Sequence, residues 1–265
     1  MKKRNILITI VAVILALSIT ACSSNNQQTV EKNQLEKIKE AGVIKIGTEG
    51  TYAPFTYHDK DGTLTGFDVE IAQEIAKRLG VKAEFVETPW DGIFAGIDSK
   101  RFDIIANEVT ITDERLAKYD FSQPYIVSKA VLVVSKDNNE IKTFEDIKGK
   151  KSGHTLTSSF AKLAESYGAT VVQTEGFNQS VDLITSKRID VTINDSLSYL
   201  DYVKQQPNAA IKVVAEEETK DEQAILINKG NQELVDAINK ALTDMKNDGT
   251  YLKISEKYFG QDVSK

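Results

Sequence analysis

Two stretches of this chain end in an amide beside a carboxylate. "SKRFDIIANE" (99–108) closes on Asn107 and Glu108, and "SKRIDVTIND" (186–195) closes on Asn194 and Asp195, 87 residues later at every aligned position. Both pass an aspartate (Asp103, Asp190) and then three apolar or β-branched residues, so each carries its acid at the end of a strand-like run. Two such acids facing one cleft would attract a cation. The complementary chemistry sits in "SGHTLTSSFAKLAES", where Thr157, Ser158 and Ser159 precede a helical pattern through Phe160, Leu163 and Ala164. Unpaired amides and hydroxyls at a helix start attract an anion, and N-capping by the same hydroxyls is compatible with that use. Nucleophilic catalysis fits less well: it needs a base beside the nucleophile, and Ser158 and Ser159 have only His154, too near in sequence for a convincing geometry. A metal site needs clustered ligands. The chain has one cysteine and two histidines, His58 expected in a solvated turn beside "DKDG" and His154 expected in an exposed loop. "DKDGT" lacks the later glutamate of a calcium loop, no glycine-rich phosphate loop is present, and no metal or cofactor is expected.

The elements that must position these residues alternate between strand and helix patterns. "VIKIGT" is a β-branched strand, followed by "TGFDVEIAQEIAKRLG", in which Val69, Ala72, Ile75, Ala76 and Leu79 share one helical face. Asp68 is expected to N-cap that helix and Gly80 to end it. Strand "AEFVE", helix "WDGIFAGIDSK" and strand "FDIIANE" follow. The repeat extends further: residues 83–103 align without gaps on residues 170–190, with Trp90 opposite Phe177. The reading is α/β, with mostly parallel sheets and helices on both faces, written as two related lobes. Ligands of such sheets collect beyond the carboxyl ends of the strands, where Glu108 and Asp195 lie. Polar turns divide the chain into lobe 1, residues 36–131 plus 223–265, and lobe 2, residues 132–222. Two strands crossing between them would form a hinge.

Residues 1–35 read differently. Lys2, Lys3 and Arg4 precede an apolar run at 6–19 that is short for a membrane span. It ends in "ITAC", which resembles a bacterial lipoprotein signal with residues 1–21 removed and Cys22 lipidated. Residues 22–35 are polar and expected to form a flexible tether. Cys22 being the sole cysteine, no disulfide staples the fold. The whole chain carries −6; without its first 21 residues 30 basic residues face 39 acidic ones, a charge of −9. An acidic body with no long basic run argues against a nucleic-acid partner.

Longer motifs carry a family resemblance. "GTEGTYAPFTY", "GFDVEIAQEIAKRLG", "ITDERLAKYDFSQPY" and "INKALTDMKNDGTYLKISEKYFG" resemble the extracellular solute-binding proteins of polar amino-acid ABC importers, family 3. "GTEGTYAPF", "SKRFD" and "YFGQDVSK" are similar to the cystine-binding branch. The resemblance implies a type II periplasmic-binding-protein fold with a ligand cleft between two lobes, two crossover strands as hinge, and a monomer. It implies no enzymatic activity and delivery of a free L-amino acid, L-cystine first, to a membrane permease. Cysteine or another polar amino acid is the alternative ligand. A dehydratase-like enzyme and a sensory domain are further uses of the fold. It places the chain outside the cytoplasm, tethered to the outer face of the cell membrane through lipid on Cys22. At the site, it implies that Arg115 holds the ligand carboxylate with help from Ser159, that Asp195 holds the ammonium, and that Ser158 also meets the ligand. A planar guanidinium suits a carboxylate better than an ammonium does. Thr110 offers its hydroxyl and backbone, and Glu108 mainly its carbonyl. Tyr52 and Trp90 wall the ligand, Glu49 reads its side chain, and Asn107 and Thr155 line the same region.

Overall fold

In a computed structural model, the structure describes residues 32–265. The signal at 1–21, Cys22 and the tether up to residue 31 lie outside the described residues. The tether ends sooner than residue 35. Asn33 caps a helix, Gln34–Ala41, by accepting from the Glu36 amide at 2.9 Å while the Glu36 carboxylate accepts from the Asn33 amide at 3.1 Å. This reciprocal box satisfies two otherwise orphaned donors, which is why helix begins within a polar stretch.

Two five-stranded sheets form two lobes. In the first, Val43–Thr48 runs parallel to Lys82–Glu87 on one side and to Ile104–Ile105 on the other, Leu226–Asn228 follows antiparallel to Ile104–Ile105, and Tyr119–Phe121 pairs antiparallel with Leu226–Asn228 at the edge. In the second, Lys151–His154 runs parallel to Thr170–Gln173 on one side and to Val191–Asp195 on the other, Ala130–Ser135 follows antiparallel to Val191–Asp195, and Ile211–Glu216 pairs antiparallel with Ala130–Ser135 at the edge. The sheets are thus mostly parallel, as expected: in each, four strands point the same way and one, Leu226–Asn228 or Ala130–Ser135, runs against them. The βα repeats give three parallel strands of each sheet, and the strand that follows the crossing from the other lobe is the reversed one. Between the lobes, Ile126–Ser128 pairs antiparallel with Asp221–Gln223. Two paired strands can bend at a hinge without unfolding either lobe.

Side-chain alternation feeds cores on both faces of each sheet. Ala130, Leu132 and Val134 enter one core of the second lobe, while Val131 and Val133 enter the other. Ile104 and Ile105 split likewise between the two cores of the first lobe. The helix expected from residue 68 begins at Phe67 on Gly66 (φ 130°). A Cβ at Gly66 would lie 2.2 Å from the Phe55 carbonyl oxygen, so only glycine fits. Asp68 is not the cap. Fully buried, it accepts from the Tyr125 hydroxyl at 2.7 Å and from the Glu108 amide at 2.5 Å.

The repeat holds at atomic detail. Trp90 and Phe177 each begin a helix, Trp90–Asp98 and Phe177–Thr185, and Ser99 and Ser186 each end one. Lys100 and Lys187 both adopt left-handed φ, 59° and 58°. Asp103 and Asp190 each accept from the first-strand amide of their lobe, Lys45 and Lys151, at 2.8 Å.

Candidate ligand-binding site

A cavity lies between the lobes, lined from the first by Glu49, Thr51, Tyr52, Trp90, Asn107, Glu108, Thr110 and Arg115. The second lobe contributes Thr155, Ser158, Ser159 and Phe160, then Gly153, His154, Gly176, Phe177 and Ser180, and the strand residues Thr192, Ile193 and Asn194. Every residue expected at the site except Asp195 is on this wall.

Arg115 is the cation. Thr112 caps its helix, Asp113–Lys118, by accepting from the Arg115 amide at 3.3 Å. The side chain, 8% exposed, lies with its guanidinium 5.4 Å from the Trp90 ring centre and 5.1 Å from that of Phe94. Nη1 donates to the Thr110 carbonyl at 2.8 Å and Nη2 to the Thr157 carbonyl, in the other lobe, at 3.3 Å. No carboxylate among the described residues pairs with it. Burial lowers its pKa to about 10, against the pull of Glu108, so it is still charged at neutral pH. A buried cation held by two neutral carbonyls is suited to an anionic ligand group. Beside it, Ser158 caps the helix Ser159–Ser166 by accepting from the Ala161 amide at 3.0 Å, and Ser159 Oγ reaches Thr110 Oγ1 at 3.5 Å.

The acids gather on the opposite side. Glu108 occupies a left-handed turn (φ 50°) just beyond the short strand Ile104–Ile105, rather than a strand end. Its carboxyl is buried, with Oε1 lacking any hydrogen-bond partner. Burial raises its pKa well above the usual carboxylate range, and the neighbouring Asp195 and Asp68 raise it further. Asp195 lies behind this wall. It caps the helix Ser196–Gln205, accepts from the Leu197 amide at 2.7 Å and from Ser128 Oγ, and is pushed up to about 6 by burial. Ser128 also accepts from Gln223 Nε2 at 3.0 Å, so both hinge strands reach Asp195. The acid that faces the cavity with a free oxygen is thus Glu108.

Glu49 forms a second acidic point. Asn107 accepts from the Glu49 amide at 2.7 Å and donates to Glu49 Oε2 at 2.8 Å, which fixes the side chain. Burial raises this carboxyl to about 7, although the Asn107 and Trp90 hydrogen bonds oppose the shift. Tyr52 closes the wall by donating to Asn194 Oδ1, across the lobes, at 2.8 Å. Trp90 packs edge-on against Phe94 and has an unpartnered indole N–H.

His154 corrects an expectation. It belongs to the strand Lys151–His154, is 5% exposed, sits 2.7 Å from Ser152 Oγ through Nε2, and is lowered to about 3 by burial. It is a neutral wall residue, not an exposed loop histidine. His58 is not free in its turn either, lying 3.2 Å from Glu87 Oε1 and 3.1 Å from the Gly50 carbonyl. The wall residues Phe177 and Asn194 were within reach of the sequence, since they stand 87 residues beyond Trp90 and Asn107. Among the described residues, no group of three or more His, Cys, Asp and Glu could hold a metal ion.

Known proteins agree with this architecture. The L-cystine-binding protein TcyA of Bacillus subtilis is 48% identical over 271 residues, covering all of both chains. The L-cystine solute receptor of Neisseria gonorrhoeae, in its unliganded open conformation, is 48% identical over 87% of this chain and 98% of its own, with a TM-score of 0.59. An ancestral arginine-binding protein bound to arginine is 43% identical over 82% of this chain and 98% of its own, yet reaches a TM-score of 0.77. The better overlay on the bound relative, despite lower identity, is what lobes drawn together over their cleft produce. Residues 44–261 match the bacterial extracellular solute-binding proteins, family 3, and the chain belongs to that family.

Proposed function

We propose that this protein captures a free L-amino acid, L-cystine first, and delivers it to an ABC permease. The observation that carries the reading is the cavity's split polarity: a buried Arg115 without a carboxylate partner on one side, and a buried Glu108 with a free oxygen, backed by Asp195, on the other. A zwitterion satisfies both at once, its carboxylate taking Arg115 with Ser159 and Thr110, its ammonium taking Glu108 and Asp195. Glu49, held by Asn107, supplies a further acid for a second ammonium, which a two-headed amino acid carries. Tyr52, Trp90, Thr155 and Ser158 shape the space between. The L-cystine-binding relatives support this assignment, and the buried His154, already neutral, lacks the protonated state a catalytic acid would need.

Sheet membership supports a discontinuous first lobe on either side of a second, with the second beginning at Ala130 rather than at residue 132. No helix among the described residues is long and apolar enough to cross a membrane. The "ITAC" motif supports retention at the outer membrane face by lipid on Cys22, and the protein acts as a monomer. A thermal-shift panel over the amino acids tests the ligand, because a compound that binds only the folded state raises its melting point. L-cystine should give the largest rise. Glutamine, histidine or arginine exceeding it would reassign the ligand, and turnover of any compound would revive an enzyme.

A further inference from the structure

We propose that Asp91 is a latch that holds the lobes together over the cavity and sets how slowly ligand leaves. This rests on reading the cavity as the ligand site. Asp91 lies in the first turn of the helix Trp90–Asp98, in the first lobe, and is absent from the cavity wall. Its carboxylate accepts four hydrogen bonds, all from the second lobe. Oδ1 takes the Thr157 amide and the Thr157 hydroxyl, each at 3.0 Å; Oδ2 takes the Leu156 amide at 3.3 Å and Gln173 Nε2 at 3.4 Å. Bonds from backbone amides to a carboxylate are charge-assisted and stronger than neutral ones. The charge also sits at the positive end of its own helix, so it is stabilised before the latch forms.

The gripped loop is the one that completes the site. Thr157 gives its N–H to Asp91 and its carbonyl to Arg115 Nη2 at 3.3 Å, and Ser158 follows as the helix cap. Asp91 therefore fixes from outside the segment that Arg115 and the bound carboxylate meet from inside. Separating the lobes breaks all four bonds together. Another outer link, Lys162 to Glu114, joins two exposed side chains, a kind of pair that contributes little. Asp91 is thus a positioning residue: it touches no ligand, forms its bonds only after the cleft shuts, and acts on escape rather than entry.

Stopped-flow kinetics with L-cystine separates these rates. Asp91→Asn replaces an acceptor with an amide that turns a donor toward N–H groups. It should raise the dissociation rate about tenfold or more and leave the association rate within twofold of wild type. Thr157→Val, which removes one of the four donors, should raise dissociation less, and Glu114→Gln should leave it within twofold. An Asp91→Asn dissociation rate within twofold of wild type overturns the latch, as does a matching loss in association rate, which would mean a distorted site. If wild-type protein fails to bind L-cystine, the ligand assignment fails and the same rates are measured with the amino acid that gives the largest rise in the thermal-shift panel. An Asp91→Asn dissociation rate within twofold of wild type for that amino acid overturns the latch.

Discussion

The guanidinium of Arg115 is desolvated, packed over both Trp90 and Phe94, and tied to a carbonyl of each lobe. Removing one partner of a desolvated charge pair costs about 3–5 kcal/mol, so Arg115→Ala should weaken binding at least a hundredfold by calorimetry. Arg115→Lys should recover only part of this, because an ammonium cannot grip a carboxylate with a planar fork. The acids on the other side give a pH dependence. Both Glu108 and Asp195 are raised in the empty site, chiefly by burial, Asp195 to about 6. The charged form is the one an ammonium prefers. Affinity should therefore hold above Asp195's value of about 6 and fall as pH drops through it, approaching tenfold per unit for one proton. Affinity unchanged from pH 7 to pH 5 would remove Asp195 from the ammonium's neighbourhood.

At the scale of elements, the repeat places equivalent side chains under equivalent glycines. A Cβ at Gly47 would lie 2.4 Å from the Phe102 ring, and one at Gly153 would lie 2.6 Å from Ile189 Cδ1. Phe102 and Ile189 are themselves 87 residues apart. In both lobes the first strand needs glycine so that the residue after the basic turn can pack across it. The two contacts differ in softness. A phenyl ring seated against Gly47 and Gly96 cannot retreat, whereas the end of an isoleucine can change rotamer. Overpacking typically costs about 1–3 kcal/mol. Gly47→Ala should reach the upper part of that range and Gly153→Ala the lower, as shifts of the urea midpoint. The reverse order would mean that the second lobe is the more rigid.

Across the whole molecule, closure should be visible through the sole tryptophan. Trp90 is 9% exposed with its indole packed on Phe94 and beneath Arg115 while the lobes are together. Opening the cleft would return water to the cavity face of the ring. Ligand should then shift its emission to shorter wavelength, saturably, with the midpoint that calorimetry gives. The shift should vanish in Arg115→Ala at the same concentrations. Emission blind to a ligand that calorimetry detects would assign Trp90 to the static core.

The sequence by itself determined the strands, the helix faces, the internal repeat and ten of the residues on the cavity wall. These are local properties: period-2 and period-3.6 burial patterns, glycine at tight turns, and a motif order shared with a family. Tertiary structure decided what depends on competition between distant segments. Asp68 reads as a helix cap, yet donors from Tyr125 and the Glu108 amide draw it inward. His154 reads as an exposed loop residue, yet strand pairing buries it. Glu108 and Asp195 read as twins, yet the hinge residue Ser128 and the Leu197 amide occupy Asp195, leaving Glu108 with the free oxygen. A buried carboxyl is defined by the donors that reach it, and Ser128, on a hinge strand 67 residues away, reaches Asp195 only through folding.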